Sequence, residues 1–477
     1  MIRRVAMAGM VALAVSACSV GPNYTRPAPL AAPDATLRER GAIGVTPSPL
    51  PDRWWRLFAD RDLDRLVEKA LAGNTDLRVA AANLQRARAV LSEADAARLP
   101  VGDATTSYTK SRNADPLTGG AVTTDYFSIG YDASYEVDLF GGVTRSIQAA
   151  RADTQAAQAQ VDAARVSVAA ETARAYVSAC SFAAQAAVAR ETVRLQTNTL
   201  DLTQRLFDGG RGTRRDVDRA RVLVENANAQ LPVLEAERRA SLYALAVLTG
   251  DPPARVDPAA ERCVLVPQVA TPIPAGDGQA LIARRPDIRS AERILAGDIA
   301  RVGVATADLY PSIRLLGGVS LGASRLGDIG KPASFGFSLG PLISWNFPFN
   351  GAARARLRQS EATATGSLAR FDGAVLTALQ ETEQALARLG GAIQSEQAYG
   401  RAAIASEDAA RLSRVRFDAG ADSFLQLLDA ERDRASARAA QAQAQANRAD
   451  AQVSVFKALG GGWEGAPPVI EKPATTR

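Results

Sequence analysis

The chain has 477 residues, of which 47% are hydrophobic, 22% charged and 5% aromatic, and it contains no histidine. Without imidazole there is no Ser-His or Cys-His catalysis, no His metal site and no imidazole pH switch, while charge at this density excludes a multi-pass helical membrane protein. The 56 Lys and Arg are interleaved with 51 Asp and Glu, so the net charge of +5 forms no basic patch of the kind nucleic acids need.

In chain order, the first feature is Arg3-Arg4 followed by an apolar run, Val5 to Val15, which is too short to span a bilayer. With the small residues Ser16 and Ala17 it predicts a signal peptide over residues 1–17. Leu13-Ala14-Val15-Ser16-Ala17-Cys18 resembles a bacterial lipobox, in which the Cys becomes the acylated N-terminus, and Ser19 in place of a retaining Asp points to the outer membrane. The competing reading is an ordinary secretory signal cut near Ala17, with Cys18 incidental. Residues 18–61 read as a lipidated, extended segment, rich in Pro and small residues from Gly21 to Pro51 and without a core of its own. Cys180 lies in an Ala-rich helical run and reads as a small apolar residue, and Cys263 lies in a Pro-rich connector. No CxxC spacing suggests a metal, and the sequence leaves a Cys180–Cys263 bond open.

A duplication organises the rest. Asn74-Thr-Asp-Leu-Arg, Phe140-Gly-Gly-Val-Thr-Arg145, Phe207-Asp-Gly-Gly210 and Leu248-Thr-Gly250 recur as Arg285-Pro-Asp-Ile-Arg, Phe349-Asn-Gly-Ala-Ala-Arg354, Phe417-Asp-Ala-Gly420 and Leu459-Gly-Gly461, all at offsets of 209 to 211 residues. This gives repeat 1 over 62–250, a linker over 251–278, repeat 2 over 279–461 and a tail over 462–477. Each repeat reads helix, strand, strand, long helix, turn, shorter helix. Asp62 to Arg98 is predicted helical from Leu63, Leu66, Val67, Ala70 and Leu71. Val143 to Phe207 has neither Pro nor Gly and would be about 100 Å long as a helix. Such a helix needs a covered stripe: Ile147, Ala150, Thr154, Ala157, Val161, Ala164 and Val168 supply a heptad, continued on a drifted face by Val188, Leu195, Leu202 and Leu206. Asp208-Gly209-Gly210 stops it, and Arg214 to Leu248 returns, with a kink or break predicted at Pro232.

Phe127 to Leu139 alternates with period two, apolar on one parity and polar on the other. Phe335 to Phe349 does the same, Ile313 to Leu321 more weakly, and Thr105 to Arg112 is polar on both faces. This alternation, with aromatics at strand ends, suits a transmembrane barrel strand. A soluble sandwich with one wet face is the alternative. Four strands cannot close a barrel, and open edges in lipid leave unpaired backbone groups, so several copies must share one. Two copies would fill the lumen with side chains, whereas three could leave a channel.

Trp54-Trp55-Arg56-Leu57-Phe58, Ala70-Leu71-Ala72-Gly73-Asn74-Thr75-Asp76-Leu77, Arg284-Arg285-Pro286-Asp287-Ile288-Arg289, Tyr310-Pro311, Leu428-Asp429-Ala430-Glu431-Arg432 and Cys18-Ser-Val-Gly-Pro-Asn-Tyr24 resemble the outer-membrane efflux lipoproteins of the TolC superfamily, the NodT-type outer membrane factors. The resemblance covers essentially the whole mature chain. It implies a mainly α fold with β: a long α-helical barrel of coiled-coil hairpins plus a transmembrane β-barrel completed by homotrimerisation, four strands per chain. It also implies a periplasmic membrane-fusion adaptor and an inner-membrane pump, usually of the resistance-nodulation-division type, with the pump selecting the cargo. No cofactor is expected, and no P-loop is present to supply energy.

The gate is expected at the turns Asp208–Thr213 and Asp418–Ser423. Family members close it with polar links and acidic rings. Asp422 and Asp429 match that region, and Asp216 and Asp218 lie near it in repeat 1. Threefold symmetry would make each Asp a ring that attracts cations, although any one of them could equally be a helix cap. Arg211, Arg214 and Arg215 have no basic counterparts at Ala421, Phe424 and Leu425, and Arg214 or Arg215 is expected to pair with a neighbouring tip carboxylate when closed. The same architecture could serve type I protein export, and a poreless periplasmic coiled coil is the second alternative.

Overall fold

Period-two alternation and glycine punctuation translate directly into elements. The computed structural model describes residues 19–28, 37–114, 119–345, 351–467 and 469. The signal peptide, Cys18, and the strand-end residues Asn346, Phe347 and Phe349 lie outside the described residues, as do most of the C-terminal tail and residues 29–36. The principal helices are α1 (Arg61–Gly73), α2 (Thr75–Ala96), α3 (Gly142–Asp208), α4 (Arg214–Leu248), α5 (Gly278–Arg284), α6 (Pro286–Ala307), α7 (Ala352–Asp418) and α8 (Phe424–Ala458), with a five-residue helix at Pro258–Arg262 in the linker. The principal strands are β1 (Val101–Ala114), β2 (Ala121–Val137), β3 (Ser312–Ala323) and β4 (Phe335–Ser344). The chain divides into two compact units: one of residues up to 28, 84–157 and 290–371, the other of 29–83, 158–289 and 372 onward.

The first unit holds the antiparallel sheet β1-β2-β3-β4. Its register aligns the apolar parity across both repeats: Ile129 pairs with Leu321 and Leu321 with Phe335, and Tyr131 pairs with Val319 and Val319 with Phe337. The opposite parity aligns Gly130 with Ser320 and Gly336, and Asp132 with Gly318 and Ser338. The apolar face is open: Phe337 is 77% and Leu339 84% exposed. A soluble sandwich would have covered it. β1, polar on both faces, is a full strand of 14 residues, longer than the sequence predicts, because pairing with β2 decides what side-chain patterning leaves open. β2 stops at Val137, two residues short of the predicted end. Asp138 accepts from the N–H groups of Val143 and Thr144 at 2.9 and 2.8 Å, and so caps α3.

In the second unit the core gathers Trp54, Trp55, Phe58, Leu63, Leu66, Leu71, Tyr176, Leu386, Leu389 and Phe456. Trp54 stacks on Phe456 with ring centroids 4.6 Å apart and is fully buried. Leu37 and Leu50, from the Gly21-to-Pro51 stretch expected to have no core of its own, also join this one. Trp54→Ala is expected to cost about 3–5 kcal/mol, with Trp54→Phe losing much less; urea denaturation followed by fluorescence checks this.

The predicted single helix over Asp62 to Arg98 is two helices, broken at Asn74. The Asn74 side chain accepts from the N–H groups of Asp76 and Leu77 at 2.8 and 3.2 Å and caps α2. Its Nδ2 donates to the Leu248 carbonyl at 3.0 Å, where α4 ends. In repeat 2 the equivalent Arg285 donates to the Ala458 carbonyl at 2.8 Å, where α8 ends, and α6 begins on Pro286. The recurring Asn-Thr-Asp and Arg-Pro-Asp motifs thus tie each helix break to the end of the returning helix. α4 runs unbroken through Pro232, which lies on an exposed face where water can satisfy the carbonyl its ring leaves unpaired.

The linker is strapped down. Arg65 contacts Asp257 with two hydrogen bonds of 2.7 and 2.9 Å, and Lys69 pairs with Asp251 at 2.5 Å. Gln452 on α8 exchanges two bonds with the Val269 backbone. Cys180 and Cys263 form a disulfide, with Cα atoms 5.1 Å apart. Cys180 is therefore more than the small apolar residue its helix suggests, because the linker returns to cover it.

Candidate functional site

Both hairpin turns close by the same local chemistry. Gly210 and Gly420 take φ of +71° and +74°, and the N–H groups of Arg211 and Ala421 donate back to the Leu206 and Arg416 carbonyls at 2.8 Å. The next helix then opens on a capping box: Thr213 with Asp216, and Ser423 with Gln426.

These turns show where each candidate residue lies. Asp216 accepts from the Thr213 hydroxyl at 2.6 Å and from its N–H at 3.2 Å, which makes it a cap. Asp218 accepts from Arg214 at 3.2 Å and pairs with Arg221 at 3.6 Å on the same helix. Arg215 makes no hydrogen bond or ion pair within the described residues. Asp422 binds Arg416 at 2.8 Å across its own turn, and its side chain is only 9% exposed. Asp429 is exposed and pairs with Arg432 at 3.6 Å. Among the described residues no hydrogen bond or ion pair joins the acids of one tip to those of the other.

What does join the hairpins is a cluster behind the turns, which the sequence reading missed. Glu431 is almost fully buried on α8 and is paired with Arg434 on its own helix and with Arg414 of α7 at 3.3 Å. Arg414 also donates to the Thr199 hydroxyl on α3 at 3.2 Å. Glu407 extends the cluster to Arg438 at 2.6 Å. Glu431 sits within the Leu428-to-Arg432 motif, but nothing in that motif distinguishes a buried acid from the exposed Asp429 two positions earlier.

The α3 stripe also differs from its apolar expectation. Val188, Leu195, Leu202 and Leu206 are half-buried, whereas Ala189, Gln196, Thr199 and Thr203 are the buried positions. The hydroxyls of Thr199 and Thr203 donate back to the carbonyls of Leu195 and Thr199 at 3.1 and 2.7 Å, so both buried hydroxyls place their proton within their own helix.

The chain has clear relatives. The family described as "Outer membrane efflux protein" matches residues 66–251 and 278–461. Nodulation protein T of Rhizobium leguminosarum bv. viciae is 30% identical over 98% of this chain and 95% of its own length. Outer membrane protein OprJ of Pseudomonas aeruginosa is 30% identical over 95% of each chain. The solved structure of the outer-membrane channel OprN is 36% identical and superposes with a TM-score of 0.88 over 94% of this chain and all of that one.

Proposed function

The chain belongs to the outer membrane efflux protein family, and from that premise we propose that it is the outer-membrane channel of a tripartite efflux system, a passive conduit to the cell exterior. The observation that carries this reading is the sheet: four strands, an exposed apolar face, and outer edges on β1 and β4 that no strand among the described residues covers. In lipid each orphan backbone group would cost several kcal/mol, so copies must pair edge to edge. Three copies supply twelve strands and an open lumen, and we assign a homotrimer with its apolar face toward outer-membrane lipid and its polar face toward the passage.

The helical hairpins line the periplasmic part of the passage and meet a periplasmic membrane-fusion adaptor and an inner-membrane pump, of the resistance-nodulation-division type. The protein does no bond chemistry. The division of the chain follows the duplication: signal peptide 1–17, lipidated segment 18–61, repeats 62–250 and 279–461 about the linker 251–278, and tail 462–477. Acylation of Cys18 anchors the mature protein. Asp422, Asp429, Asp216 and Asp218, with Arg214 and Arg215, form the resting gate. Of the two arginines, Arg214 is engaged with Asp218 in its own helix, so Arg215 is the one free to pair with a neighbouring subunit.

Detergent-purified protein should have the mass of three chains and conduct ions in planar bilayers; a monomeric mass without current would refute the channel. Replacing both Arg214 and Arg215 by Ala should raise resting conductance several-fold, as one or two exposed ion pairs of about 0.2–1 kcal/mol per subunit are lost in each of three subunits. Unchanged conductance and unchanged adaptor dependence would remove these arginines from the gate.

A further inference from the structure

Residues 19–26 follow the acylation signal, and within the first unit one buried cation holds them. Arg145 is 3% exposed. Its Nε donates to the Val20 carbonyl at 3.2 Å, one Nη donates to the Gly21 carbonyl at 3.2 Å and to Asn23 Oδ1 at 2.8 Å, and the other Nη donates to Gln148 Oε1 at 2.9 Å. All four acceptors are neutral, and three belong to the N-terminal segment. Removing that segment would leave the guanidinium with one protein acceptor, and water would have to replace the other three.

The fit is also steric. The Val20 N–H donates to the Phe140 carbonyl at 3.1 Å, at the corner where β2 passes into α3. Gly21 has φ of +85°, and a Cβ there would come 2.6 Å from the Gly303 Cα. Gly141, with φ of +79°, admits Ser19, since a Cβ would come 2.8 Å from the Ser19 Cα. Farther along, the Tyr24 hydroxyl donates to Glu292 at 2.6 Å beneath the Arg293 guanidinium, which lies 5.2 Å from the ring. Burial and Glu292 push that hydroxyl up to about 12.

The duplication provides an internal comparison. Arg354 occupies the Arg145 position in repeat 2 and is exposed, with no segment of the described residues laid over it. A position used once in two copies serves something the chain has once, and the mature N-terminus is such a feature.

We propose that the groove around Arg145 is a docking site for the mature N-terminus, holding residues 19–26 so that the acylated residue 18 is delivered to the β2–α3 corner of the sheet. Ser19, the first described residue, is seated against Gly141 at that corner. The inference rests on the lipidation of Cys18 given above. It adds that the acyl chains are positioned rather than tethered by a free tail.

The test uses the full chain, expressed with its signal and purified in detergent. Mass spectrometry of the N-terminal peptide reads acylation, and hydrogen exchange reads protection of the amides in 19–26. Wild type should be acylated and protected. Arg145→Met should keep the acyl groups and exchange these amides at least about tenfold faster, with the sheet unchanged, while Arg354→Met should leave them protected. Gly21→Ala should expose the same amides without altering the Arg145 side chain, and it decides the matter if Arg145→Met does not accumulate. Protection unchanged in Gly21→Ala, or an acylated wild type with an unprotected segment, overturns docking alone. A wild-type peptide without acyl groups overturns the lipidation reading, and this inference with it.

Discussion

Glu431→Ala is expected to loosen the α7–α8 hairpin and raise resting conductance by an order of magnitude or more. The Glu431 side chain is 4% exposed and that of Arg434 12%, so the pair is shielded from solvent, and Arg414, at 32%, is partly so. Removing the carboxylate shared by two partly desolvated guanidinium groups leaves Arg414 without an acid and Arg434 with only the more distant Glu407 at 3.7 Å, and breaking such a pairing typically costs about 3–5 kcal/mol in buried sites. The lower end applies here, because Arg414 keeps both solvent and the Thr199 hydroxyl. The cost falls locally. Arg414 is the residue that contacts both α8 and α3, so the hairpin loses its register against its neighbour before the core around Trp54 is disturbed. Glu431→Gln preserves volume and one acceptor and should show a smaller effect. Hydrogen exchange over 405–435 and planar-bilayer recordings check this together; if both match wild type, the cluster does not hold the hairpin.

The second large effect concerns the disulfide. Cys180→Ala with Cys263→Ala should lower stability by about 2–5 kcal/mol. The bond closes a loop with a sequence separation of 83, for which the chain-entropy account gives about 4–5 kcal/mol. The realised loss should sit below that, since Gln452 and Arg65 continue to hold the linker. The pairing is also testable directly. Wild-type protein denatured with an alkylating reagent and no reductant should take up no label at Cys180 or Cys263, and both should label after reduction. Labelling of both without reductant, or a double variant that melts with wild type, would show that the bond does not form or does not matter. An exported protein meets the oxidising conditions that such a bond needs.

Much of the fold was legible because its signals are local. The return turns are written in Asp208-Gly209-Gly210 and in Gly420, since only glycine takes positive φ there without strain. α4 has the bounds its sequence predicts, Arg214 to Leu248, and α3 extends its prediction by one residue at each end. The strands of apolar parity were legible from alternation alone, and β1 was not, because its identity comes from its partner. The turns at which the gate is proposed were legible, the bonding of their acids less so. Asp216, a plausible ring acid by position, is occupied in a capping box, while Glu431, the buried acid, gives no sign of burial in its neighbours.

The sequence by itself determined the duplication, the hairpins, the turns, and the sheet too small to close alone, because each follows from periodicity or from backbone freedom within a few residues. Only the tertiary structure decided the rest: the Asn74 break, the Cys180–Cys263 bond, the Glu431–Arg414–Thr199 link and the capture of the N-terminus by Arg145. These contacts join residues 17 to 215 positions apart. An unpaired side chain carries its capacity for a bond but not its partner's address, and that address is set only when packing brings the two together and excludes the water that would otherwise satisfy them.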